Sequence, residues 1–147
     1  MNWILKKFEA LTPAELYAIL RLRNEVFVVE QDCVYQDADD KDQFSLHLAG
    51  WKENELAAYC RIIPPGIAYE ECSIGRVVSS PHHRNTGAGR ELMNQAIAMS
   101  LDLFPERPIR IGAQSYLEKF YTTLGFSRCS DEYLEDGIPH IQMLLVK

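Results

Sequence analysis

The sequence predicts an α+β fold, a single mixed β-sheet with helices covering both faces. Three observations lead there. Strand-like and helix-like apolar patterns follow one another in the order β-α-β-β-β-α-β-α-β-β. The apolar run Ile74-Gly75-Arg76-Val77-Val78 feeds a glycine-bearing turn, Arg84-Asn85-Thr86-Gly87-Ala88-Gly89, which opens a helix. The 147 residues, 47% of them hydrophobic, suffice for one domain (1–147) with a real core.

Asn2 to Phe8 reads as the first strand. Thr12-Pro13-Ala14-Glu15 is a capping box with proline at the first helical position. Leu16, Ile19, Leu20, Arg23, Val26 and Phe27 continue that helix at mostly helical spacing. Between Asp32 and Asp42 five aspartates face one lysine, which predicts a solvent-facing loop. Ser45–Trp51 and Glu55–Ile63 are strands joined by the turn Lys52-Glu53-Asn54, and Pro64-Pro65-Gly66 closes the second. Cys72–Ser79 is the strand before the glycine turn, and Pro81 ends its pairing. The next helix shows Leu92, Met93, Ala96, Ile97, Leu101 and Phe104 on one side and stops at Pro105. Ile109–Ala113 is a short buried-type strand, and Tyr116–Leu124 is a helix capped by Gly125. Phe126–Tyr133 and His140–Val146 form the last strand pair.

The net charge of −6 provides no basic stripe for nucleic acid, and it is compatible with a cationic amine substrate. No apolar run approaches the ~20 residues of a membrane helix. The N-terminus lacks the charge order and small-residue site of a signal peptide, so the cytoplasm is the expected location. Cys33, Cys60, Cys72 and Cys129 show no C-x-x-C spacing and read as reduced thiols, with a Cys60–Cys72 bridge as the alternative. No metal is expected. His82-His83 has no further His/Cys set around it, and the aspartate run lacks the order and closing glutamate of a calcium loop.

The strand–turn–helix order around Gly87 and Gly89 suits a phosphate group. Unpaired N–H groups of a first helical turn point outward, with the positive end of the helix dipole behind them. Glycine lets the backbone turn tightly and approach a ligand. The lysine of a Walker loop and the third glycine of a dinucleotide fingerprint are both missing. What remains, R-x-x-G-x-G, resembles the pyrophosphate loop of the GCN5-related N-acetyltransferases (GNAT). Phe120-Tyr121-Thr122-Thr123-Leu124-Gly125-Phe126 is similar to that family's F-Y-x-x-x-G-F segment, one helix and one strand later. Leu22–Gln31, then Cys33-x-Tyr35-Gln36-Asp37, and Glu135–Ile141 further resemble ElaA-type bacterial acetyltransferases, so the likeness covers nearly the whole chain.

This resemblance implies the GNAT fold, whose two central strands splay apart, here near Ser79 and Gln114. It implies acetyl-CoA as co-substrate and a small-molecule or protein amine as acceptor. The backbone of Val77, Val78 and Ser79 would bond the pantetheine arm. The N–H groups of Asn85, Thr86, Gly87, Ala88, Gly89 and Arg90 would hold the pyrophosphate, with Arg84 and Arg90 adding charge at the rim. Gln114, where many relatives have asparagine, offers an amide to the arm. An N–H near Val78 would stabilise the developing oxyanion, and Tyr121 would meet the departing sulfur. In many members the last strands serve dimers, so a homodimer is an open expectation.

For the general base, His140 has the right intrinsic pKa of ~6.5. Glu30 is its rival as base or as binder of a cationic substrate, and Glu71 is a third candidate. Arg23 would anchor a substrate carboxylate or pair with Glu30. Two other functions stay open: a CoA-binding sensor without turnover, and an acyl-homoserine-lactone-synthase-like transferase. The latter group shares the fold but lacks the R-x-x-G-x-G loop that is intact here.

Overall fold

A computed structural model describes residues 1–105 and 108–146. The strands are β1 (Asn2–Lys7), β2 (Leu46–Lys52), β3 (Glu55–Ile63), β4 (Cys72–Ser79), β5 (Ile109–Gln114), β6 (Ser127–Arg128), β7 (Tyr133–Glu135) and β8 (Ile138–Leu145). They form one sheet in the order β1-β2-β3-β4-β5-β8-β6, with β7 also on β8. Only the β4–β5 contact is parallel among these pairings, and it joins just Cys72 to Ile109 and Ser73 to Arg110. Beyond those two residues the strands part, which opens a cleft on the edge of β4.

The first helix, α1 (Pro13–Arg23), starts on the expected capping box. Glu15 N donates to Thr12 Oγ1 at 3.1 Å, and Thr12 N to Glu15 Oε1 at 2.8 Å. The chain then widens into a π-helical turn, Asn24–Glu30, rather than running on as α-helix through Phe27. Gln31 N bonds Val26 O at 3.0 Å and Cys33 N bonds Val28 O at 3.1 Å, both five residues back. Val26, Val28 and Val29 are β-branched and fit an α-helix poorly; π-turns of this kind occur often at functional sites.

The next helix, α2 (Ala88–Leu103), packs the expected stripe on the sheet: Leu92, Met93 and Ala96 are fully buried, while Ile97, Leu101 and Phe104 border the same core. Burying a side chain the size of Leu92 or Met93 contributes about 1.5–3 kcal/mol. The opposite face of the sheet carries a smaller core, with Ile19, Leu22 and Val26 against Ala49, Tyr59 and Val78. So helices do cover both faces. The segment expected to be helical over 116–124 is a 3₁₀ turn followed by α3 (Glu118–Thr123). It ends with Gly125 N bonded to Thr122 O and Phe126 N to Tyr121 O, a Schellman closure with Gly125 at φ +103. Its Cβ would meet Leu145 Cδ1 at 2.9 Å, so Gly125 is required for space as well as for conformation.

The strand expected over 126–133 is two short ones, β6 and β7, both paired with β8. Between them Gln142 N donates to the side chain of Ser130 at 2.8 Å, which interrupts the backbone ladder. The aspartate run is a second correction. Asp37, Asp39 and Asp42 turn inward onto Arg23, Arg61 and Arg76 instead of facing solvent. Their partners are 14–39 residues away, so local composition hides them.

Candidate active site

The parting of β4 from β5 creates a cleft of about 500 Å³. One wall is the open edge of Ile74–Ser79; the other is Ile111–Gln114, with Tyr121 behind it. The π-turn supplies Val26, Phe27, Glu30 and Gln31 as a roof. The turn between β7 and β8 closes the far end with Glu135, Asp136, Ile138 and His140.

At the near end the glycine turn leads into α2. Gly87 is the N-cap residue at φ +82, and Asn85 is also left-handed at φ +61. Alternating left-handed residues of this kind turn successive N–H groups to one side, a concavity suited to anions. The first intrahelical bond is Glu91 N to Gly87 O at 3.0 Å, so the amides of Ala88, Gly89 and Arg90 precede it. Among the described residues no side chain caps them at Gly87, and a Cβ on Gly87 or Gly89 would meet nothing within 4 Å. The space and the donors fit a phosphate group. Thr86 Oγ1 ties the turn to His83 O at 2.6 Å. The Arg90 guanidinium reaches Thr123 Oγ1 at 3.0 Å and lies over Phe120 at 5.3 Å, joining the loop to α3.

Tyr121 is 6% exposed, edge-on to Phe120 and Phe126, and borders the cleft. Burial first, then the nearby Cys60 and Tyr116, push its pKa above that of an ordinary phenol. It therefore stays neutral and keeps its hydrogen to donate. Gln114 also faces the cleft, where its Nε2 donates to Gln31 Oε1 at 3.3 Å. In the β5–β8 register Gln114 lies opposite His140. His140 Nδ1 is 2.7 Å from Ile138 O, a partner that only accepts. This places a ring hydrogen on Nδ1. Nε2 lies 3.4 Å from Glu135 Oε2.

Other expectations meet different surroundings. Glu30 lines the cleft, but its carboxylate is held bidentately by Arg84, at 2.8 Å on the Nη1 side. That hydrogen bond, with the arginine's charge, holds its pKa below the usual carboxylate value, so Glu30 is a weak base with its oxygens engaged. Arg23 neither anchors a substrate nor pairs with Glu30. It is 0% exposed and bonded to Asp37 and Asp42, both at 2.8 Å. Glu71 is no cleft base either, because Arg110 clamps it at 3.0 and 2.8 Å. His82 and His83 turn to Glu55. All four cysteines are free thiols, so the Cys60–Cys72 bridge does not form. The reading from sequence missed Gln31, Cys33, Tyr35, Arg76 and Glu135 as cleft residues. Gln31, Cys33, Tyr35 and Glu135 stand within the ElaA-type segments, and that was their one signal.

The acetyltransferase (GNAT) domain family matches residues 10–147. Protein ElaA of Escherichia coli (strain K12) is 43% identical over 135 residues, covering 90% of this chain and 88% of its own. A crystal structure of an acyl-CoA N-acyltransferase from Pseudomonas aeruginosa superposes with a TM-score of 0.94 at 41% identity, covering 99% of this chain and 100% of that one. The crystal structure of Escherichia coli ElaA gives 0.93 at 39% identity, covering 99% of each chain. Fold and family are those of acyl transfer from acyl-CoA. With the splayed strands, the glycine loop and the F-Y-x-x-x-G-F segment in place, the chain belongs to the GNAT acetyltransferase family, in its ElaA-like branch.

Proposed function

We propose that this protein is an N-acetyltransferase that moves an acetyl group from acetyl-CoA to a primary amine by direct attack in a ternary complex. The observation that carries this reading is the open edge of β4, which runs from a helix start with open amides to a buried, neutral Tyr121 and a histidine held through Nδ1 by Ile138 O.

The amides of Ala88, Gly89 and Arg90 hold the pyrophosphate, and the free edge of Val77–Ser79 pairs with the pantetheine arm as an added strand would. Gln114 reaches the arm once its bond to Gln31, already long at 3.3 Å, is released. The acceptor enters from the β7–β8 end, as an ammonium near Glu135 and His140. His140 Nε2 takes a proton from nitrogen, directly or through one water. The nitrogen lone pair attacks the thioester carbonyl carbon, and the negative charge that builds on its oxygen meets the N–H near Val78. The carbon–sulfur bond then breaks with its electron pair on sulfur. Tyr121 donates a hydrogen bond to the thiolate; because a thiol is more acidic than this phenol, the bond stabilises the leaving group without full proton transfer. The nitrogen then gives up its second proton, through water, to the thiolate; the products are the N-acetyl amide and CoA as its thiol, with the first proton left on His140 for release to solvent.

The test is acetyl-CoA binding by calorimetry, followed by thiol release across a panel of amines. Wild type binds and turns over at least one amine. Tyr121→Phe keeps its affinity and loses about tenfold or more in kcat. Binding without turnover on any amine favours the sensor reading, and an unchanged rate in Tyr121→Phe removes the assigned role of the phenol.

A further inference from the structure

We propose that Asp37 and Asp39 are positioning residues: they clamp Arg76 in a left-handed conformation and so set the phase of β4 that turns the Val77–Ser79 backbone toward the cleft. This rests on the reading above, in which that backbone receives the pantetheine arm.

Arg76 has φ +50 in the middle of a strand. A residue with a Cβ holds that conformation at a cost of about 1–2 kcal/mol, and it persists only where the surroundings over-determine it. At this point the β3–β4 register slips. Tyr59 pairs with Val78 and Arg61 with Gly75, so Cys60 faces both Arg76 and Val77. The extra residue changes which face each following side chain takes. Ile74 packs on the α2 core, and simple alternation would put residues 76 and 78 there too. Instead Val77 joins the α2 core and Val78 packs in the α1 core. The same slip exchanges which of residues 77–79 offer their amides to the open edge.

The clamp is built from charges far apart in sequence. Arg76 Nε lies 2.8 Å from Asp37 Oδ1, and Nη2 donates to Asp37 O at 3.0 Å and to Asp39 Oδ2 at 3.4 Å. The Tyr35 ring lies against the guanidinium at 5.8 Å. Asp37 is fixed in turn by Arg23 and by the Tyr35 hydroxyl, both at 2.8 Å. Asp39 is fixed by Arg61 at 2.7 Å, and Asp42 bridges Arg23 and Arg61 at 2.8 and 2.9 Å. Three arginines and three aspartates thus balance, and two of the arginines are buried. Glycine would adopt φ +50 without strain; this chain has arginine there and a clamp to hold it.

The test separates clamp from contact by comparing Arg76→Gly with Arg76→Ala. Both remove the guanidinium, and only glycine accepts the conformation. Calorimetry with acetyl-CoA, below the melting temperature of every variant, is expected to show Arg76→Gly within about threefold of wild type. Arg76→Ala and the Asp37→Asn/Asp39→Asn pair are expected to bind about 5–30-fold more weakly, the equivalent of 1–2 kcal/mol. Adding Arg76→Gly to the aspartate pair restores affinity. Equal losses in Arg76→Gly and Arg76→Ala would mean that the side chain touches the ligand, and melting temperatures that fall while affinity holds would mean a purely structural network; either overturns the proposal. Because affinity is the readout, a wild type that binds acetyl-CoA and acetylates nothing would defeat the acetyltransferase reading and leave this test intact.

Discussion

Gly87 and Gly89 stand two residues apart in one loop, yet substitution by alanine should move them in opposite directions. Gly87 is the N-cap of α2 at φ +82 and ψ 4. Alanine there loses about 1–2 kcal/mol to the left-handed conformation, and no crowding adds to this because a Cβ would meet nothing within 4 Å. Gly89 is the second residue of α2, outside the left-handed region and equally open. Alanine there restricts the unfolded chain and stabilises by about 0.4–1 kcal/mol. For a chain of this size 1 kcal/mol moves Tm by about 2–4 °C. Gly89→Ala is therefore expected to melt about 1–4 °C higher. For Gly87→Ala the loss divides between two observables. If the free loop keeps its shape, Tm falls by about 2–8 °C. If the loop relaxes, Tm holds and acetyl-CoA binds about 5–30-fold more weakly, because closing the loop must restore the strained conformation. Thermal melts and calorimetry on the same samples give both terms. If Gly87→Ala changes neither, or if Gly89→Ala melts below wild type, the assignment of a strained conformation to one glycine and an ordinary one to the other is wrong.

His140→Gln should lower kcat by about 10²-fold while acetyl-CoA binds normally; an unchanged rate in thiol-release assays would clear His140 of the base role. Asp42→Asn should cost about 3–5 kcal/mol, read as a lower urea midpoint, because two buried guanidinium groups lose the carboxylate between them. Burial opposes ionisation of Asp42, but hydrogen bonds and charge from Arg23 and Arg61 outweigh it and hold its pKa below the ordinary carboxylate value. A depressed folded pKa gives stability that is complete above the unfolded value of about 3.9 and is lost as pH falls through the folded one. The gap between wild type and Asp42→Asn should therefore stay constant from about pH 7 to 5 and close only below about pH 4, which urea titrations at stepped pH would check. Glu30→Gln should tighten acetyl-CoA binding by up to about fivefold, more so at low salt, as seen by calorimetry in two buffers; weaker binding would show that Glu30 holds Arg84 in its working position.

The parts of the fold that were legible in the sequence are those set by local chemistry. The capping box at Thr12–Glu15, the apolar stripe of α2 and the glycine closing α3 each rest on residues within a few positions of one another. The hairpin at Glu53-Asn54 is of the same kind, with both residues at positive φ as a tight turn requires. The errors fall where partners are distant. Five aspartates beside one lysine look solvated until Arg23, Arg61 and Arg76 arrive from α1, β3 and β4. A period-3.6 pattern through Phe27 cannot reveal that the bonds shift to five residues back. In the site, the glycine turn before α2 and the position of Tyr121 beside the cleft were legible because their motifs are contiguous. Arg23 was misplaced because its neighbour in sequence, Glu30, is not its partner in space.

The pairing of Glu30 with Arg84 ties these points to binding. The π-turn brings its last residues over the cleft, so Gln31 meets Gln114 from β5 and Glu30 meets the first residue of the R-x-x-G-x-G turn. The ion pair spans the cleft mouth, yet both side chains are exposed, 38% for Arg84 and 43% for Glu30. Exposed pairs contribute about 0–1 kcal/mol. A pyrophosphate offers the same guanidinium a doubly charged partner with matching fork geometry, and it also gains the amides of α2, which Glu30 does not reach. Under the proposed binding, exchange of one partner for the other would be downhill, at a cost no greater than the small worth of the surface pair. In the proposed complex Arg84 turns to phosphate, and Glu30 would be left as an unpaired negative charge facing another, within the ~8 Å over which such charges act at physiological salt. The unfavourable sign of that contact is why removing the carboxylate should help the co-substrate, and why the same carboxylate is a poor place to look for the base.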